Sequence, residues 1–205
     1  MAPLSLRTLL VLLAVGAAPV FAQVPTRTEA QRDSLYQLHK GDFDYLLGEW
    51  RFTSVSKEWG KGQGYWTAVR LGDGADILDE YRVVGDSGET YVLLHTLRAY
   101  NAALDQWELV SSDNTTGLKD AGTGQRAGAE MHITQKFGVS TPNPTTWRIR
   151  YYDIMPDRFS WRADLSKDDG KTWVTDFLTI EAERIGPPHA AVQLTTIPAG
   201  AAARQ

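Results

Sequence analysis

Trp147-Arg148-Ile149-Arg150-Tyr151-Tyr152 and, after a turn carrying Asp153 and Pro156, Phe159-Ser160-Trp161-Arg162-Ala163-Asp164-Leu165 are the stretches that decide the fold. Side chains of a β-strand alternate between its two faces. Trp147, Ile149 and Tyr151 therefore share one face of the first run, and Phe159, Trp161, Ala163 and Leu165 share one face of the second. The opposite faces carry Arg148, Arg150 and Tyr152, then Arg158, Ser160, Arg162 and Asp164. One face is dry and aromatic, the other wet. Outward from this pair, runs rich in Val, Ile, Thr, Tyr and Trp recur about every 10 to 15 residues between Gly, Asp, Asn and Pro clusters. Strands are expected near 48–57, 63–71, 76–84, 90–100, 105–112, 126–137, 145–153, 158–166 and 171–184, with no long helix between them. Connections this short cannot carry parallel crossovers, so neighbours pair antiparallel. A meander with one dry face and no helix to cover it buries that face by curling on itself. The expected fold is an all-β, antiparallel up-and-down barrel of about 8 to 10 strands, with a short N-terminal helical lead-in.

Composition narrows the function classes. The chain has 205 residues, no cysteine, and 21 Lys+Arg against 25 Asp+Glu, for a net charge of -4. A mildly acidic chain without a basic run offers little attraction to nucleic acid or to anionic membrane. The hydrophobic fraction of 42% and aromatic fraction of 10% suffice for one core. Arg7 followed by the apolar stretch Leu9 to Ala18 and by Val20-Phe21-Ala22 reads as a signal peptide, residues 1–22, cleaved after Ala22. The expected location is periplasmic or secreted, with no membrane insertion after cleavage. Residues 23–42 form the lead-in, where Asp33 or Ser34 is the expected helix cap. The barrel spans 43–185, and the Ala-, Pro- and Thr-rich stretch 186–205 is expected to be a disordered tail.

Phe43-Asp44-Tyr45-Leu46-Leu47-Gly48-Glu49-Trp50 resembles the opening of a family of bacterial lipocalin-like barrels of unknown function. Asp79-Glu80-Tyr81, Leu97-Arg98-Ala99-Tyr100-Asn101, Gln106-Trp107, Asp153-Ile154-Met155-Pro156 and Phe159-Ser160-Trp161 extend the resemblance over about residues 43 to 184. It implies a calycin-type barrel and no particular activity. Gly48-Glu49-Trp50 also resembles the Gly-x-Trp of true lipocalins, in which the Trp closes the barrel floor and a late Arg stacks over it. That resemblance gives Gly48, Trp50 and Arg184 a structural role. Ser166-Lys167-Asp168-Asp169-Gly170-Lys171-Thr172-Trp173 resembles the Asp-box of sialidases and related propellers, Ser-x-Asp-x-Gly-x-Thr-Trp, a hairpin remote from the catalytic centre. Ser166, Asp168, Gly170, Thr172 and Trp173 are accordingly structural, with Asp and Gly supplying the turn and Trp pinning it to the sheet.

Chemistry-bearing patterns are sparse. Of the four histidines, His39 and His189 fall in the lead-in and tail. His95 and His132 fall on strands, where either is a candidate axial ligand if a haem were held. With no cysteine, no His-x-His and no Glu-x-x-His, no metal site and no cofactor are expected. Gly122-x-Gly124 and Gly72-Asp73-Gly74 are expected in turns without a following helix, which leaves no phosphate loop. The adjacent Asp79 and Glu80 point to opposite faces of a strand.

The candidate ligand-binding set is Arg98, Tyr100, Trp107, Trp147, Tyr151 and Trp161, and no catalytic residue is assigned. Aromatic walls with one buried arginine suit an amphipathic molecule such as a fatty or aromatic carboxylate. Arg98 salt-bridged to Asp79 or Glu80 inside a filled barrel fits the sequence equally well. The expected function is therefore an exported, non-catalytic barrel that binds a small hydrophobic or amphipathic molecule. Two alternatives stay open: an enzyme with Asp79 or Glu80 as base at the barrel mouth, and an envelope interaction or structural module with a filled barrel. Oligomeric state is not legible.

Overall fold

A computed structural model describes residues 26–194. The signal-peptide segment, the start of the lead-in and residues 195–205 of the expected tail lie outside the described residues. Thr28 opens the first helix, α1 (Glu29–His39). Its hydroxyl accepts from the Gln31 N–H at 3.3 Å while the Gln31 side chain accepts from the Thr28 N–H at 2.9 Å. This reciprocal pair satisfies two otherwise unpaired donors. The cap lies upstream of Asp33 and Ser34, the caps expected from sequence, and Ser34 Oγ instead donates to the Ala30 carbonyl within the helix. No residue of α1 is buried. After the helix a single 3-10 turn, Asp44–Leu46, carries Phe43 and Leu46 to complete burial.

Ten strands follow: β1 (Gly48–Ser56), β2 (Gly60–Arg70), β3 (Ile77–Val84), β4 (Thr90–Asn101), β5 (Gln106–Asp113), β6 (Gly117–Ala127), β7 (Glu130–Phe137), β8 (Thr145–Tyr152), β9 (Arg158–Ser166) and β10 (Val174–Gly186). Each pairs antiparallel with its chain neighbours, and β10 pairs with β1 to close the barrel. Closure uses every sheet edge.

The expected strand at 126–137 is in fact the end of β6, a turn at Gly128 and β7. β6 has the sequence Gly-Leu-Lys-Asp-Ala-Gly-Thr-Gly-Gln-Arg-Ala, poor in β-branched and aromatic residues. Gly122 and Gly124 thus lie within a strand and not in a turn. Packing explains them: a Cβ on Gly122 would stand 2.5 Å from the Thr134 carbonyl oxygen, and one on Gly124 would stand 2.8 Å from Ile133 Cγ1. The close approach of β7 requires a residue without a side chain.

The two barrel ends differ. At the closed end, Phe43, Leu46 and Trp50 are wholly buried and Trp107 is 1% exposed. Arg184 lies 4.1 Å above the Trp50 ring, and donates through Nη1 to the Leu47 carbonyl, Nη2 to the Tyr45 carbonyl and Nε to the Pro156 carbonyl. Trp50 Nε1 donates to the Leu46 carbonyl at 2.8 Å. Gly48, at φ 106°, sits against this guanidinium, and a Cβ there would come within 2.6 Å of Arg184 Nη1.

At the mouth, the β9–β10 turn is tied by its own side chains. Ser166 Oγ donates to Asp168 Oδ1 and accepts from the Gly170 N–H, while Asp168 accepts from the Thr172 N–H and hydroxyl. Trp173 Nε1 donates to the Gly170 carbonyl, and Arg148 stacks 3.8 Å above the Trp173 ring. The Thr172 hydroxyl and N–H, with Ser166, hold the Asp168 carboxyl down at about 2. The part of the expected tail within the described residues carries a parallel bridge from Val192 to Leu71, and Val192 exchanges hydrogen bonds with Arg70 and Gly72.

Candidate functional site

Arg98 is the centre of the interior. It points inward from β4, is 3% exposed, and donates through Nε to Asp79 Oδ2 on β3 at 2.6 Å. Asp79, 1% exposed, accepts a second hydrogen bond on Oδ1 from Trp66 Nε1 at 2.7 Å. Arg98 Nη2 donates to the Tyr151 hydroxyl at 3.3 Å, and its guanidinium carbon lies 4.9 Å from the Phe43 ring centre. Burial alone lowers the affinity of Arg98 for its proton, but the charge of Asp79 and the hydrogen bond to it outweigh this and hold the guanidinium ionised. Burial pushes the Tyr151 phenol up to about 12, against the pull of Arg98, so it stays neutral.

Two buried polar atoms have no hydrogen-bond partner among the described residues: Arg98 Nη1 and the Tyr45 hydroxyl. Both flank Tyr151, whose ring centre is 5.9 Å from that of Tyr45. Buried donors are nearly always satisfied, so these two atoms stand out in the interior.

On the mouth side of Arg98 the interior has two unlike walls. Thr96, Ser111, Asp120 and Gln135 stand on the adjacent strands β4 to β7 and form a polar wall. Asp120 accepts from the Ser111 hydroxyl on Oδ2 and from Gln135 Nε2 on Oδ1. Burial raises its carboxyl above the usual range, against both hydrogen bonds. The opposite wall is aromatic: Trp147 and Trp161 from β8 and β9, and Phe52 stacked on Tyr81 at 4.8 Å. Thr96, Gln135, Trp147 and Trp161 all face inward yet keep 7–8% exposure, whereas Phe43, Trp50 and Trp107 at the closed end keep 0–1%. Ser111, Asp120 and Phe52 on the same walls keep 1–2%, so the residual exposure of the mouth half is uneven.

Above this space, Trp59 packs edge-on to Phe177 at 5.5 Å, Phe177 to Trp147 at 5.4 Å, and Trp147 meets Phe137 at 4.8 Å. The row crosses the mouth. Phe177 joins it because the register shifts beside Asp176, at φ 45°, so that Phe177 turns inward ahead of Leu178.

The candidate residues from sequence fall in three places. Arg98 and Tyr151 meet directly above the closed-end floor, against Phe43, and Trp161 lies 6.4 Å from Tyr151. Trp147 belongs to the mouth row. Tyr100 and Trp107 stand at the closed end, where Tyr100 stacks on His39 and donates to Asp105, and Trp107 meets Phe43 edge-on at 4.9 Å. Those two pack the helix and floor and do not reach the mouth-side interior.

Other candidates move outside the barrel. Glu80 faces outward and pairs with Arg82 at 2.8 Å and His95 at 3.5 Å, while both oxygens of Asp79 are engaged within. Neither is a free base. His132 also faces outward, 2.7 Å from Glu130, so neither strand histidine is aimed at an interior haem. Among the described residues no three His, Asp or Glu side chains gather as a metal-holding group. An outer groove of about 510 Å3 is lined in part by Arg148, Arg150, Arg162 and His132. Each of these arginines is paired, to Asp164, Glu130 and Asp176, which removes the free charge an anion needs.

The sequence reading missed Tyr45, Ser111, Asp120, Gln135 and Phe177. Asp120 and its neighbours are invisible unless β6 is recognised as a strand, and Phe177 has the wrong parity for an unbroken one. Asp120→Asn keeps an acceptor for Gln135 and removes a buried charge. The variant is expected to be more stable than the wild-type protein at neutral pH. A carboxyl whose folded pKa is raised regains stability as pH falls through that pKa, so the two urea-unfolding curves should converge on acidification. A lasting deficit of the variant at pH 7 would refute the assignment.

No protein-family model and no curated protein matches the sequence. Among solved structures, Rv2717c from M. tuberculosis is similar at 16% identity over 70% of this chain and 95% of that one, with a TM-score of 0.45. The S-type phycobiliprotein lyase CPES from Guillardia theta is similar at 12% identity over 73% and 97% of the two chains, also with a TM-score of 0.45. EF1p2_mFAP2b bound to DFHBI is similar at 13% identity over 71% and 98%, with a TM-score of 0.38. With its ten antiparallel strands closed in chain order, this chain has a lipocalin-like barrel fold.

Proposed function

We propose that this is an exported, non-catalytic binding protein that holds a small apolar or amphipathic molecule in the mouth half of its barrel. The observation that carries the reading is Arg98 Nη1, a buried charged donor without a partner, beneath an aromatic-walled interior. Tyr45, Tyr151 and Trp161 complete the surroundings: a polar end settles between Arg98 and Tyr45, and an apolar body lies against Trp161. The N-terminal apolar stretch and its small-residue cleavage site support a periplasmic or secreted location. The catalytic alternative loses its support because Asp79 is locked between Arg98 and Trp66 and Glu80 faces solvent. Native mass spectrometry of the mature protein from its own envelope is expected to show a co-purifying small mass. Titration with the neutral fluorophore N-phenyl-1-naphthylamine is expected to show saturable uptake at micromolar concentration. A clean apo mass together with no uptake retires the reading.

A further inference from the structure

Resting on that reading, we infer that the occupant is an electrically neutral aromatic molecule with a carbonyl-type acceptor at its polar end, and not a carboxylate. The argument is the interior's own charge balance. Besides the phenols of Tyr45, Tyr81 and Tyr151, which burial keeps neutral, its buried ionisable groups are one guanidinium, Arg98, and two carboxyls, Asp79 and Asp120. Asp42, also buried, belongs to the closed end, where it faces His39, Trp107 and Arg126. Asp79 already neutralises Arg98 through a 2.6 Å contact. A ligand carboxylate placed against Arg98 would be a third acid around a single base, in surroundings that screen charge poorly.

What Arg98 lacks is a partner for one nitrogen, not a counter-charge, and a neutral carbonyl supplies that. Tyr45, whose hydroxyl is likewise unpartnered, is a second donor on the other side of Tyr151. The wall of Thr96, Ser111, Asp120 and Gln135 accepts a hydrogen-bond donor along the ligand's edge, and Trp161 takes its face. The class this describes is a planar amide, lactam or ketone on an aromatic ring, with no net negative charge.

Two probes that differ only in this respect test the assignment: 2-naphthamide and 2-naphthoate, each measured by equilibrium dialysis at pH 7 with the full mature protein. The amide is expected to bind at least tenfold tighter. In Asp120→Asn, which removes one acid from the interior, that preference is expected to narrow at least fivefold through a gain in naphthoate binding. Equal or tighter binding of naphthoate by the wild-type protein overturns the class and leaves the binding role intact. Failure of both naphthalenes in a protein that takes up N-phenyl-1-naphthylamine overturns it as well. Failure of all three probes removes the binding role itself.

Discussion

Trp50→Ala is expected to lower the unfolding free energy by about 3–5 kcal/mol, the range for deleting a large, wholly buried aromatic. For a domain of this size that corresponds to a fall in Tm of about 6–20 °C. The loss has three sources in one place. The indole volume is fully buried, its N–H is the partner of the Leu46 carbonyl, and its face is the platform on which Arg184 lies at 4.1 Å. Without that platform the guanidinium is less well held, and its bonds to the Leu47, Tyr45 and Pro156 carbonyls loosen with it. Arg184→Lys separates these contributions. It keeps the charge but loses the planar fork that reaches three carbonyls, so its cost should fall between wild type and Trp50→Ala. Thermal unfolding followed by near-ultraviolet circular dichroism measures both. An unchanged Tm in Trp50→Ala would show that the floor carries no structural weight.

Arg98→Met is expected to cost about 3–5 kcal/mol, because it leaves Asp79 charged, 1% exposed and without its counter-ion. The double variant Arg98→Met with Asp79→Asn removes both charges and should recover much of the loss. Urea unfolding of the wild type, the single variant and the double variant distinguishes an ion pair that matters through its balance from one that matters through packing. A double variant as unstable as the single one would refute the ion-pair account.

Much of this architecture is legible in the sequence, for a physical reason. Where a strand separates solvent from an aromatic interior, parity is written into the side chains, and Trp147, Ile149, Tyr151 and Phe159, Trp161, Ala163, Leu165 all face inward as their alternation requires. The signal fades where a different force decides. β6 is chosen by the nearness of β7, which selects glycine at 122 and 124, residues that read as a turn in isolation. The inward turn of Phe177 depends on a register shift beside Asp176, and a shift by one residue inverts every parity argument upstream of it. The site suffers more than the fold because it is assembled across strands. That Arg98 needs a counter-ion follows from its burial. That Asp79 supplies it while Asp120 adds a second acid follows only from which strands become neighbours.

The seam between β1 and β10 has a consequence for how the protein comes into being. Its pairs run from Trp50↔Arg184 to Ser56↔Leu178, joining the first strand of the barrel to the last. Hairpins between neighbours can form early and locally, but this contact waits on the most distant partners, so closure is the slow, final event. During synthesis, a chain that has released β1 to β9 carries two open sheet edges and an unroofed aromatic face. Such an intermediate is the species most exposed to edge pairing with its own copies. Arg184, two residues from the end of β10, clasps carbonyls on both sides of the seam, so arrival of the last strand also brings the group that locks it. Handling of the unfinished chain therefore matters most in the interval before that one side chain arrives.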